Sequence, residues 1–134
     1  MADVTIRVLD DEVLRMLERA PGRVNRAMRR GMEDAASLLL RVLITYPPKV
    51  DSSVYRRTGT LGRSWSRRID GTGMNLRGEV GSNANIAPYN RVVQDRERQA
   101  RVHRGRWITV QSAAQRNERA IDQMFRQRLA QELR

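Results

Sequence analysis

Residues 23–44, RVNRAMRRGMEDAASLLLRVLI, decide how the rest of the chain has to be arranged. Apolar side chains or glycine fall at Val24, Ala27, Met28, Gly31, Met32, Ala35, Leu38, Leu39, Val42 and Leu43, mostly in alternating steps of three and one. That spacing has a period near 3.6 and predicts an amphipathic helix roughly 33 Å long. Ala36, Leu40 and Ile44 widen the stripe over the last two turns until it covers most of the circumference. A helix end that is apolar nearly all round must be covered on two sides. In a chain of 134 residues the second cover points to another subunit, with Leu40, Ile44 and the later Trp65 as candidate interface residues.

On the N-terminal side, Val4, Ile6 and Val8 alternate with Thr5 and Arg7, the pattern of a half-buried strand. Asp10 is the expected N-cap of a short helix through Leu14 and Leu17 that stops at Pro21-Gly22. On the other side, Tyr46-Pro47-Pro48 ends the long helix, because proline cannot continue it. Residues 49–63 are polar and read as an extended loop, as does 94–106; loops as long as 49–63 are usually functional or disordered until bound. Trp65, Arg67 and Ile69 alternate with Ser64, Ser66 and Arg68, turn residues follow at 70–73, and Leu76, Gly78 and Val80 return, which is a β-hairpin. Trp107 to Val110 reads as a last strand or a lead-in to a final helix over about 112–133. Ser112 is its expected cap, and Ala113, Ala120, Ile121, Met124, Phe125, Leu129 and Leu133 form its stripe. The expected class is α+β, one domain over 1–134: a long N-terminal helix and a C-terminal helix packed on a small, mostly antiparallel sheet containing a central hairpin.

Composition narrows the chemistry. Cysteine is absent, which excludes disulfides, thiol catalysis and cysteine zinc sites, and the single His103 excludes multi-histidine metal centres. No phosphate-cradling glycine loop occurs. Carboxylates are interleaved with arginines at helical spacing, as in Asp11 with Arg15, the mark of solvated helix faces. The expectation is therefore no enzyme, no catalytic or cofactor-binding residues, no metal and no cofactor. No apolar run reaches the ~20 residues of a membrane span, and the N-terminus lacks a signal-peptide pattern, so production in the cytoplasm is expected.

The net charge is +11, and Lys49 is the sole lysine among 26 basic residues. Residues 1–50 hold 9 basic and 7 acidic groups, residues 51–110 hold 12 and 5, and residues 111–134 hold 5 and 3. The excess is thus concentrated in the middle, where Arg56, Arg57, Arg63, Arg67 and Arg68 form a candidate DNA-facing or partner-facing basic group, with ordinary solvated arginine as the alternative. With 4% aromatic residues no row of stacking rings is available, so any contact with nucleic acid should be to phosphates.

Two stretches go beyond composition. Tyr46-Pro47-Pro48 is followed by Thr58-Gly59-Thr60-Leu61-Gly62-Arg63-Ser64-Trp65; later come Gly78-Glu79-Val80-Gly81, Ala87-Pro88-Tyr89 and Trp107-Ile108-Thr109-Val110. This order resembles the tail-component family of long-tailed phages, typified by the tenth gene product of the lambdoid coliphage HK-ninety-seven. The family's long helix ends in proline, a Thr-Gly-x-Leu-x-x-Ser stretch enters a hairpin, and a Pro-Tyr segment precedes a C-terminal helix. The resemblance covers roughly residues 24–130, with Thr58, Gly59, Leu61, Ser64, Pro88 and Tyr89 as the family-motif positions. After Tyr89 the chain departs from the family pattern.

What the resemblance implies is a virion protein of the tail or neck, acting as tail terminator or head–tail joining subunit. It would form a hexameric ring with itself, contact tail-tube and head-connector proteins, and surround a channel that passes double-stranded DNA without touching a membrane. The competing expectation is a non-specific, arginine-rich protein that binds double-stranded nucleic acid.

Overall fold

The structure, a computed structural model, describes residues 3–7, 10–45, 64–83 and 109–132. Strand β1 (Asp3–Arg7) is followed by helices α1 (Asp11–Arg19) and α2 (Pro21–Ile44), the hairpin strands β2 (Trp65–Asp70) and β3 (Arg77–Ser82), and helix α3 (Val110–Glu132). The α+β class expected from the sequence is the class observed. The loops expected over 49–63 and 94–106 lie outside the described residues.

Helix α1 begins as its cap residue dictates. The Asp10 carboxylate accepts from the backbone N–H groups of Glu12 at 2.8 Å and Val13 at 3.4 Å, satisfying two donors that an unextended helix start leaves open. Helix α1 stops just short of the Pro21-Gly22 pair, as its sequence suggested, and the same pair opens the next helix two residues before the expected start at Arg23. Ala20 alone separates α1 from α2, and Pro21 occupies the first turn, where its missing N–H costs nothing and its fixed φ suits a helix. At 24 residues and ~1.5 Å per residue, α2 is about 36 Å long.

Helix α2 is the element around which the others pack. It meets α3 along its length, both hairpin strands on another side, and α1 near its start. The sheet order is β1-β3-β2, antiparallel throughout. Pairing sets Val4 opposite Val80 and Ile6 opposite Gly78 on one edge, and Trp65 opposite Ser82 and Ile69 opposite Gly78 on the other. Opposed residues share a face, so these side chains form the helix-facing side. The 3-10 turn Gly73–Asn75 joins the hairpin strands and is tied to α2, since Asn25 Oδ1 accepts from the Gly73 N–H at 2.8 Å.

Two core clusters divide along α2. Its first half joins Val13, Leu76 and Leu129 through Val24, Ala27, Met28 and Met32; its second half joins Trp65, Val80, Val110 and Ala113 through Ala36, Leu39 and Leu43. Helix α3 therefore runs antiparallel to α2, its start against the end of α2 and its end against the start. It begins earlier than its sequence suggested. Thr109, not Ser112, is the cap: Thr109 Oγ1 accepts from the Ser112 N–H at 3.1 Å, which places Ser112 inside the first turn.

Candidate functional site

The hairpin separates two arginines that the sequence placed in one basic group. Arg67 lies opposite Val80 on the helix-facing side of the sheet, and its Nη1 donates to the Ser37 hydroxyl at 2.9 Å and to the Glu33 carbonyl at 3.2 Å. Arg68 lies on the opposite face, 2.6 Å from Asp70. Successive residues of a strand point to opposite sides, so the two cannot share one surface. Arg56, Arg57 and Arg63 lie outside the described residues, as do Thr58, Gly59, Leu61, Pro88 and Tyr89.

The outward face of the sheet carries Asp3, Thr5 and Arg7 on β1, Arg77 and Glu79 on β3, and Ser66, Arg68 and Asp70 on β2. Its three arginines are matched by three carboxylates, with Arg77 3.4 Å from Glu79 in addition to the Arg68–Asp70 pair. This face has no cationic excess.

The three expected interface residues have different fates. Ile44 is 40% exposed in the last turn of α2. Leu40 is half-buried against the second core cluster. Trp65 is only 7% exposed and belongs to this chain's own core, a correction to its reading as a subunit-facing residue. It is the first residue of β2 on the helix-facing side, which carries the ring inward; its indole N–H is buried without a hydrogen-bond partner among the described residues. Ser64, just before it, is also buried, and its carbonyl accepts from the Asn83 N–H at 2.8 Å, closing the open end of the hairpin.

Two surfaces remain. The first is an open groove of about 1170 Å³ between β1, α1 and α3. Ile6, Val13, Ile121, Phe125 and Leu129 make its floor apolar; Asp10, Glu12, Glu118 and Asp122 lie along it with Arg7, Arg119 and Arg126. Arg126 Nε donates to Asp122 at 2.8 Å, and this bond holds the guanidinium pKa above its ordinary value. On a chain of net charge +11 this groove carries four carboxylates against three arginines.

The second surface is an arginine stripe on α2 that the sequence analysis passed over. Arg23, Arg26 and Arg30 stand at intervals of three and four residues and so share a face. All three converge on Glu132 at the end of α3. Arg23 donates from Nε at 2.9 Å and from Nη2 to the Glu132 carbonyl, Arg30 Nη1 donates to Oε1 at 3.0 Å, and Arg26 Nε lies 3.9 Å from Oε2. Arg29 adds a fourth cation, 3.8 Å from Glu33. The next turn of α3 is held by Arg128, whose Nε and Nη2 bind both oxygens of Asp34 at 2.7 and 3.1 Å; those bonds raise its pKa. The spacing of 23, 26 and 30 was visible in the sequence. It was masked because the first fifty residues carry nearly balanced charge, and only the fold separates those carboxylates from these arginines.

No group of three or more potential metal ligands comes together among the described residues, and none of their helices is long and apolar enough to cross a membrane. Comparison with protein-family models, with curated proteins and with solved structures returns no match for this chain.

Proposed function

We propose that this chain is a ring-forming structural subunit at the head-proximal end of a phage or phage-like tail, a tail terminator or head–tail joining protein. The reading starts from the resemblance over roughly residues 24–130. The observation that carries it is the apolar-floored groove beside β1 and α3, together with Ile44 at the end of α2. A concave apolar floor rimmed by charged side chains is a common setting for a docking contact. Side-by-side packing of copies around a closed ring covers such a surface on every subunit through one repeated contact. Its work is assembly, and no bond-making chemistry is asked of it.

Quantitative mass spectrometry of purified particles tests this by counting the chain against the portal or major tail protein. About six or twelve copies per particle are expected of a cyclic neck ring; absence from intact particles overturns the reading.

The arginine stripe on α2 favours a second reading, non-specific binding of double-stranded DNA through phosphates. It predicts an affinity that falls steeply and linearly with log salt. A flat salt response disposes of it.

A further inference from the structure

We propose that Arg23, Arg26 and Arg30 form a binding site for the phosphodiester backbone of duplex DNA, in which the Glu132 carboxylate stands where a phosphate would sit. The inference rests on the duplex-contact part of the reading above.

Two guanidiniums beside a single carboxylate, with a third on the same residue's backbone carbonyl, are an unusual balance for a structural clamp. One bidentate arginine suffices to hold a carboxylate, as Arg128 does for Asp34 one turn away on the same helix pair. At Glu132 the carboxylate has two cations, Arg26 and Arg30, which leaves net positive charge on one exposed face, and Arg23 is held beside them by the backbone carbonyl. Arg26 and Arg30 keep 59% and 56% of their side-chain surface exposed, whereas Glu132 keeps only 17%. Arg26 approaches the carboxylate at 3.9 Å, beyond hydrogen-bond distance, so its guanidinium retains donors for another oxyanion. A phosphodiester offers the same chemistry as the carboxylate, a single negative charge shared by two acceptor oxygens, and forked guanidinium donors match both.

The geometry suits a backbone. From Arg23 to Arg30 the helix advances about 10 Å, the distance over which one DNA strand presents roughly three phosphates. The first turn of α2 contains no acidic residue, so the positive end of the helix adds to the site. The other two described surfaces fit DNA less well: the open sheet face is charge-balanced and the groove is acidic. Duplex is favoured over single strand because the described aromatic rings, Trp65 and Phe125, are both turned into the chain's own packing, leaving no stacking platform beside the stripe.

Fluorescence anisotropy of a random 20-base-pair duplex, titrated with the full chain at several salt concentrations, tests the proposal. R26A/R30A should reduce the slope of log affinity against log salt by about 1.8, the value for two lost phosphate contacts. R116A/R119A removes the same charge elsewhere on α3 and should reduce it by less than half as much. E132Q should tighten binding about 3- to 10-fold at ~0.1 M salt, because a competing carboxylate is gone. Should R26A/R30A fail to fold, R26A alone reads the same site, with a slope loss of about 0.9. Equal slope losses in the two double variants would mean that only net charge matters and would overturn the site. So would weaker or unchanged duplex binding by folded E132Q, the result expected of a clamp that merely joins two helices. Particle copy number does not depend on these slopes, so failure here is distinguishable from failure of the ring.

Discussion

Gly31 and Phe125 bring α2 and α3 into close contact. A β-carbon on Gly31 would lie 2.6 Å from Phe125 Cδ1 and 3.2 Å from the Phe125 Cα, so both the ring and the backbone of α3 occupy the space. Glycine is there for room, at a cost in helix propensity of up to ~1 kcal/mol.

The first prediction follows from that contact. Gly31→Ala should destabilise the fold by about 1–3 kcal/mol in urea or thermal unfolding, because overpacking exceeds the propensity gain. Gly22→Ala, on the same helix with only Arg26 Nη1 at 3.8 Å nearby, should be neutral or stabilising by up to ~1 kcal/mol. Equal effects at both positions would show that the helices do not cross this closely.

A second close approach joins the sheet to α2. A β-carbon on Gly78 would meet the Met32 thioether, with Met32 Cγ at 3.0 Å, and Met32 is fully buried. Gly78→Ala should cost about 1–3 kcal/mol and Met32→Ala about 2–5 kcal/mol. The double variant should be more stable than the sum by at least ~0.5 kcal/mol, since the added methyl enters the space the methionine leaves. Strict additivity in this cycle is the contrary outcome.

Asp10 should matter to α1 through its acceptor oxygen and not through its charge. Asp10→Ala should lower stability by about 1 kcal/mol, while Asp10→Asn retains most of it. Chemical denaturation of the two variants side by side provides the comparison.

The hairpin arginines should behave differently despite being neighbours. Arg67→Ala removes two bonds to α2 and should cost about 0.5–1.5 kcal/mol. Arg68→Ala affects only an exposed pair with Asp70 and should stay within ~0.5 kcal/mol. A larger loss at Arg68 in thermal unfolding would contradict the assignment of faces.

Ile44→Ser tests the assembly reading apart from folding. The substitution is at an exposed site, so subunit stability should change by less than ~0.5 kcal/mol. Sedimentation velocity should nevertheless show a shift from ring to subunit. An unchanged sedimentation profile would remove Ile44 from the interface.

Periodicity alone was enough to read the long helix over about 23–44, the strand before it, the hairpin and the final helix, because side-chain spacing reports which face is buried before any partner is known. Boundaries were less legible. Pro21 both follows the end of α1 and opens α2, and Ser112 reads as cap or first turn until the hydrogen bond to Thr109 decides it. The charged surfaces were the least legible. Counting charge along the chain pointed to the middle segment, yet folding brings Glu132 to Arg23, Arg26 and Arg30 from 102 to 109 residues away and divides Arg67 from Arg68.

The sequence by itself determined the class of fold, the dominance of α2 and the exclusion of thiol and multi-histidine chemistry, all of which depend on local spacing or on residue types that are simply absent. Only the tertiary structure decided that Trp65 fills the core, that four carboxylates gather along an apolar groove, and that three arginines of α2 converge on Glu132. Those are properties of distance between segments remote in sequence, and electrostatic and packing energies depend on that distance and not on order along the chain.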